Sequence, residues 1–181
     1  MFASVSASPA DVARPLPGDS LVPDADVVME RAFDLPAPPE RVWPWLLQLG
    51  KRRAGWDLPG WVERFVPASK RGLRRLDPAL VDAVHVGHVI PDWGGEHATF
   101  EVAILEPPHT LVHTTQRGHT AGSWAIVLTT YDGSPGRTHV QLRLRLSPVT
   151  RTWLAHTLGG AIDAATVAGQ ASGLRERLAE S

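Results

Sequence analysis

The sequence predicts an α+β domain with helices packed on one face of a single antiparallel sheet. Three observations carry this. Five segments between His88 and Leu146 read as strands at about ten-residue spacing, separated by GG, PPH, RGH and DGSPG turn signals. A strand followed by a helix precedes them. A helical stretch from Val149 to about Ala179 closes the chain.

Residues 1 to 22 are small, polar and proline-rich, the composition of a loose arm. Residues 23–181 are then one domain, as expected for a chain of 181 residues. VVMERAFDL, Val27 to Leu35, is the first strand, and Pro36-Ala-Pro-Pro stops it. Pro38 and Pro39 suit a helix start, where a missing N–H costs nothing. The helix runs to Leu49 with Gly50 as its C-cap. Val42, Trp45, Leu46 and Leu49 fall on one apolar stripe, with Trp43 and Leu47 on another side. At about 100° per residue the Trp43 and Trp45 rings point roughly 160–200° apart, so they are not expected in the same core. Trp45 is expected in the core and Trp43 beneath the segment that follows. Pro44 deprives the Glu40 carbonyl of its helical partner, which predicts a 3₁₀ or kinked first turn.

Residues 51–84 are an insert with helical turns at GWVERFV and at KRGLRRLDPALVDAV. The strands follow: His88 to Pro91, Ala98 to Leu105, Thr110 to Gln116, Ser123 to Tyr131 and Thr138 to Leu146. In the last, Val140, Leu142, Leu144 and Leu146 share one face, and Gln141, Arg143 and Arg145 the other. The final helix, interrupted near Gly159-Gly160, is rich in small residues from Ala161 to Gly173. Either it approaches the sheet closely or it leaves space. Against a strongly curved sheet, space becomes an apolar cavity, a common form of ligand site. Asp163 sits in this run. Facing inward it needs an Arg or His partner; facing outward it is an ordinary solvated charge.

The formal charge of −1 gives no electrostatic footprint for nucleic acid. The chain has no cysteine, which excludes disulfides, thiolate metal sites and a cysteine nucleophile and fits a reducing, cytoplasmic setting. MFASVSASPADVARPLPGDS does not read as a secretory signal, and no apolar run reaches the ~20 residues of a membrane span. No Walker A, dinucleotide fingerprint or Gly-x-Ser-x-Gly elbow occurs, and no cofactor is expected.

Trp56, Trp61 and Trp93 stand beside glycines in irregular segments, and Trp124 opens a strand. Rigid rings so placed either wall a cavity or plug the open end of the sheet. With Phe100 they are the candidate ligand-binding residues. His85, His88 and His97 lie near Asp92 and Glu96, but a two-residue gap between histidines on a strand-like segment puts them on opposite faces, and no metal site is expected. His113 alternates with Leu111 and Thr115 and so is expected to point to the cavity, where a neutral imidazole either orients a ligand, acts as a base or is a hydrogen-bonded structural histidine. His113 and Asp163 are the two catalytic candidates. Lys70, Arg71, Arg74 and Arg75 form a basic knot, either a solvated face or a contact for an anionic partner or membrane surface.

RPLPGDSLVP, a strand, APPERVWPWLLQLG, KRRAGW, VGHVIPDWG, FEVAILEPPHTLV, SWAIVL, GRTHVQLRLRL and a long final helix occur in that order. Over about residues 14 to 180 this resembles the SRPBCC (START-like, polyketide cyclase/dehydrase-related) superfamily, most specifically in the APPERVWPWLLQLG…RAGW block. The resemblance implies a helix-grip fold: an antiparallel sheet of about six strands curved round a long C-terminal helix, with a hydrophobic cavity between them. It also implies a small apolar ligand such as a lipid or polyketide. The chain departs from many relatives after Gly-Trp, where Asp57-Leu58-Pro59-Gly60 replaces Tyr-Ser-Tyr-Asp, and at His88, where an Asp is common. Three functions fit: binding of an apolar molecule, a cyclase- or hydrolase-type enzyme, or an interaction module whose cavity is filled by its own side chains.

Overall fold

The computed structural model describes residues 4–68, 71–92, 97–131 and 134–180. Six strands form one antiparallel, curved, open sheet in the order β1-β6-β5-β4-β3-β2. They are β1 (Val27–Leu35), β2 (Val89–Pro91), β3 (Thr99–Glu106), β4 (Thr110–Arg117), β5 (Thr120–Tyr131) and β6 (Ser134–Ser147). β2 to β6 are a meander, and β1 pairs along β6 from Val27↔Leu146 to Leu35↔Thr138. The β3–β4 register slips between Val102 and Ile104, a bulge of the kind that bends a strand.

Helix α2 (Pro39–Gln48) and the C-terminal helix cover one face of the sheet. The latter runs through α5 (Thr152–Leu154), a π-helical stretch (Ala155–Gly159) and α6 (Gly160–Glu180), 29 residues in all. The interruption expected near Gly159-Gly160 is thus a change of helical pitch. One hydrophobic core joins Val42, Trp45 and Leu46 of α2 to Leu111, Ile126, Leu128, Val140 and Leu142 of the sheet and to Val167, Ala171 and Leu174 of α6.

Trp43 belongs to the same core, which corrects the expectation that the two rings part company. The reason is that α2 is covered on several sides. It contacts β5, β6, α6 and the insert helix α4 (Pro78–Asp82), so opposite faces are both buried. Pro44 does not break α2, which is α-helical throughout. Its first turn carries both an i+3 and an i+4 bond, from Arg41 and Val42 N–H to the Pro38 carbonyl.

Ser6 bridges Arg31 along β1 and Val5 joins the main core, and residues 8–22 then lie against the other face of the sheet. Ser8 and Asp11 form a capping box at the start of α1 (Pro9–Ala13). Leu16 packs on Val112 and Ala125 in a second, smaller apolar cluster. Gln141, Arg143 and Arg145 do lie opposite Val140 and Leu142, as their alternation predicts, but the polar face is not solvated. Arg143 is buried, paired with Glu30 and with Asp19 (2.6 Å), and donates to the carbonyls of Asp11, Val12 and Arg14. His139 bridges Asp34 (2.8 Å) and Asp11 (3.1 Å). The segment expected to be a loose arm is therefore held by charge-assisted hydrogen bonds.

Candidate ligand-binding cavity

KRRAGW closes on itself before reaching the cavity. Gly50 and Gly55 exchange N–H···O bonds of 3.1 and 3.0 Å, with φ of +133° and +81° that favour glycine. Arg53 ties this loop down by donating to the Leu47 and Leu80 carbonyls and to His88 Nε2 at 3.1 Å. Trp56 then emerges over the sheet. Its indole N–H donates to the Thr166 carbonyl of α6 at 3.3 Å, and its ring stacks on Trp124 at 6.1 Å with 21° between planes.

Between these rings, the sheet and α6 lies a cavity of about 600 Å³. Its lining is mainly apolar: Trp56, Leu58, Val66, Phe100, Trp124 and Leu144. Thr166 and Val167 supply the helix side. A volume of this size suits a drug-sized ligand. Two charged pairs border it. Asp163 faces inward and lies 2.9 Å from Arg31 Nε, an ion pair whose facing atoms are not aligned as a hydrogen bond. Burial pushes the Asp163 carboxyl up, and Arg31 opposes that shift. Asp92 pairs with Arg117, whose guanidinium lies 5.5 Å over the Phe100 ring.

His113 is buried behind this wall. Its ring stacks on Trp124 at 5.5 Å and meets Phe100 edge-on at 5.7 Å. It borders a void of about 30 Å³ shared with Trp56, Phe100 and Trp124. Burial lowers its pKa to about 4, so the imidazole is neutral at pH 7, and its Nδ1 has no hydrogen-bond partner among the described residues.

Of the candidate residues, Trp56, Phe100, Trp124 and Asp163 come together at the cavity, and His113 lies one ring layer behind them. Trp61, on α3 (Gly60–Glu63), is 45% exposed and stands outside the lining. Trp93 lies outside the described residues. His85 and His88 do not part to opposite faces as expected, because β2 begins only at Val89 and their rings meet edge-on at 5.3 Å. His88 is engaged by Arg53 and His85 Nδ1 lies 2.9 Å from the Ala83 carbonyl, and among the described residues no group of three or more His, Asp or Glu is placed to hold a metal. Among the described residues no helix is long and apolar enough to cross a membrane.

Sequence reasoning missed what holds the insert down. Arg177 of α6 is fully buried and donates to the Leu73, Leu58 and Gly173 carbonyls and to Glu63 at 2.7 Å. Asp57 is also fully buried, 3.0 Å from Arg177 Nε. Arg74 bridges Glu63, Glu176 and Glu180, and Glu176 accepts the Gly60 N–H at 2.7 Å. These partners lie about a hundred residues apart, so no local pattern announces them. They place Trp56, Leu58 and Val66, one wall of the cavity.

No family model matches the chain, and no curated protein sequence matches it. Solved structures do. Protein MLL2253 from Mesorhizobium loti is 18% identical with a TM-score of 0.52, over 86% of this chain and 98% of that one. A conserved protein from Geobacillus kaustophilus is 12% identical with a TM-score of 0.51, over 86% and 97%. These likenesses establish a shared fold across most of both chains.

Proposed function

We propose that this protein binds a small hydrophobic molecule, a lipid, polyketide or similar compound, between the sheet and the C-terminal helix. The observation that carries this is the cavity of about 600 Å³, walled by Trp56, Phe100 and Trp124 and bordered, among the described residues, by two charged pairs. Aromatic rings supply a large apolar contact area at little conformational cost. The SRPBCC resemblance supports the same reading, with the cavity where that superfamily's helix-grip fold would hold its ligand.

The polar groups favour binding over cyclase- or hydrolase-type catalysis. Asp163 and Asp92 are each neutralised by an arginine, and they border the cavity as separate pairs. His113 stands behind the rings. A nucleophile or base needs hydrogen-bond reach to the reacting atom, and these groups do not converge on one point. A filled-cavity interaction module is disfavoured by the volume itself.

Native mass spectrometry of protein purified from its own host, followed by organic extraction, tests the reading. A reproducible adduct that extracts into organic solvent is expected. An adduct-free mass, together with failure to take up apolar probes, would overturn it.

A further inference from the structure

The mouth of the cavity carries apolar side chains turned outward. On the insert, Phe65 is 85% exposed, beside the lining residue Val66. Trp61 is four residues earlier, on the same side of the helical turns. On the C-terminal helix, Ile162 is 59% exposed, beside the lining residue Asp163, and Leu158 is 57% exposed one turn earlier. The π-helical stretch, with its i→i+5 spacing, brings Trp153, 68% exposed, round toward Leu158. Each stripe adjoins a segment that lines the same cavity.

The exposed charge within these two stretches has one sign, while the bordering Asp92 and Asp163 are each paired with an arginine. Residues 58–76 hold a single acid, Glu63, which is buried against Arg177 and Arg74, and residues 149–162 hold none. Arg64, Arg71, Arg75 and Arg151 are exposed in the same stretches. Arg71 is anchored on the Val66 and Arg64 carbonyls, which holds a cation beside Phe65 without neutralising it. In a chain of net charge −1 this is a local basic, aromatic rim.

We propose that the cavity mouth docks on an anionic lipid surface. Tryptophan and phenylalanine suit the headgroup boundary, and arginines around them are drawn to anionic lipid. This deepens the binding reading, because an apolar ligand could then enter from the bilayer without crossing water.

The test is flotation of the full chain, without ligand, on vesicles of phosphatidylcholine alone and of phosphatidylcholine with phosphatidylglycerol. Attachment to the anionic vesicles is expected, weakening as salt is raised. Each arginine near the surface contributes about fivefold, so Arg64→Glu with Arg151→Glu should weaken attachment at least ~25-fold. Phe65→Ser with Ile162→Ser, both at exposed positions, should abolish it while leaving the unfolding midpoint unchanged. Equal attachment to both vesicle types, or attachment to neither, would overturn the proposal. So would a wild-type dimer in sedimentation that Phe65→Ser with Ile162→Ser makes monomeric, because the face would then belong to a second copy. Uptake of an apolar probe without vesicles is a separate measurement, so failure of docking and failure of ligand binding are distinguishable.

Discussion

Arg177 Nε stands 3.0 Å from Asp57 Oδ1 but donates its hydrogen bond to the Leu73 carbonyl. The Asp57 carboxylate is therefore attracted by a buried charge without accepting a hydrogen bond from any described residue. Burial pushes Asp57 up to about 7, against the pull of Arg177 and with the help of Glu63. The folded protein holds this proton more tightly than the unfolded chain, whose value is 3.8. The stability it contributes is present below pH 3.8 and is lost as pH rises through about 7. Urea unfolding of wild type and Asp57→Asn at pH 5 and pH 8 isolates the effect. The stability of wild type relative to the variant is expected to fall by a few kcal/mol (roughly 2–4) between the two.

Gly173 lies where the insert crosses α6. A Cβ there would stand 2.6 Å from the carbonyl carbons of Asp57 and Leu58, which are backbone and cannot swing away. Gly173→Ala is expected to cost about 1–3 kcal/mol by overpacking, against the helix-propensity gain of alanine. Limited proteolysis should show the new sensitivity within residues 51–84 rather than in the sheet.

His113 has its pKa lowered to about 4 by burial. Its contribution to stability is complete above the ordinary value of 6.5 and is lost as pH falls toward 4. An NMR titration of the imidazole resonances should show His113 unchanged from pH 8 to about 5.5, where an ordinary exposed histidine is mostly protonated.

Arg143 joins the sheet to residues 11–19. Arg143→Met would strand Glu30, and such loss of one buried partner costs about 3–5 kcal/mol. Residues 4–22 should become the first site of proteolytic cleavage. Cleavage that begins elsewhere would contradict the account of this contact.

The strands were legible because their period of two is local. Leu111 and Val112 fall in clusters on opposite sides of the sheet, and Val140 and Arg143 likewise face opposite ways, as the alternation predicts. The small residues of the last helix were legible only as a choice between close approach and space. Both occur: the insert backbone crosses at Gly173, and the cavity opens at Asp163 to Val167. Nothing local separates these ends, because the crossing depends on where Asp57 folds back. The inward turn of Asp163 rests on Arg31 of β1, and the burial of Trp43 on elements that arrive later in the chain. Residues 4–22 look like a tail in composition, and their hold comes from side chains of β6 over a hundred positions away.

Titration with the neutral apolar probe N-phenyl-1-naphthylamine, read by quenching of tryptophan emission, tests the central claim most directly. The protein is compared with Leu144→Trp, which places a large ring on the cavity floor without removing a core side chain. Saturable one-to-one binding by the wild type, weakened at least tenfold in a variant that still folds, is the result predicted for the cavity behind Trp56 and Trp124. No binding by the wild type, or equal binding by both, would contradict it.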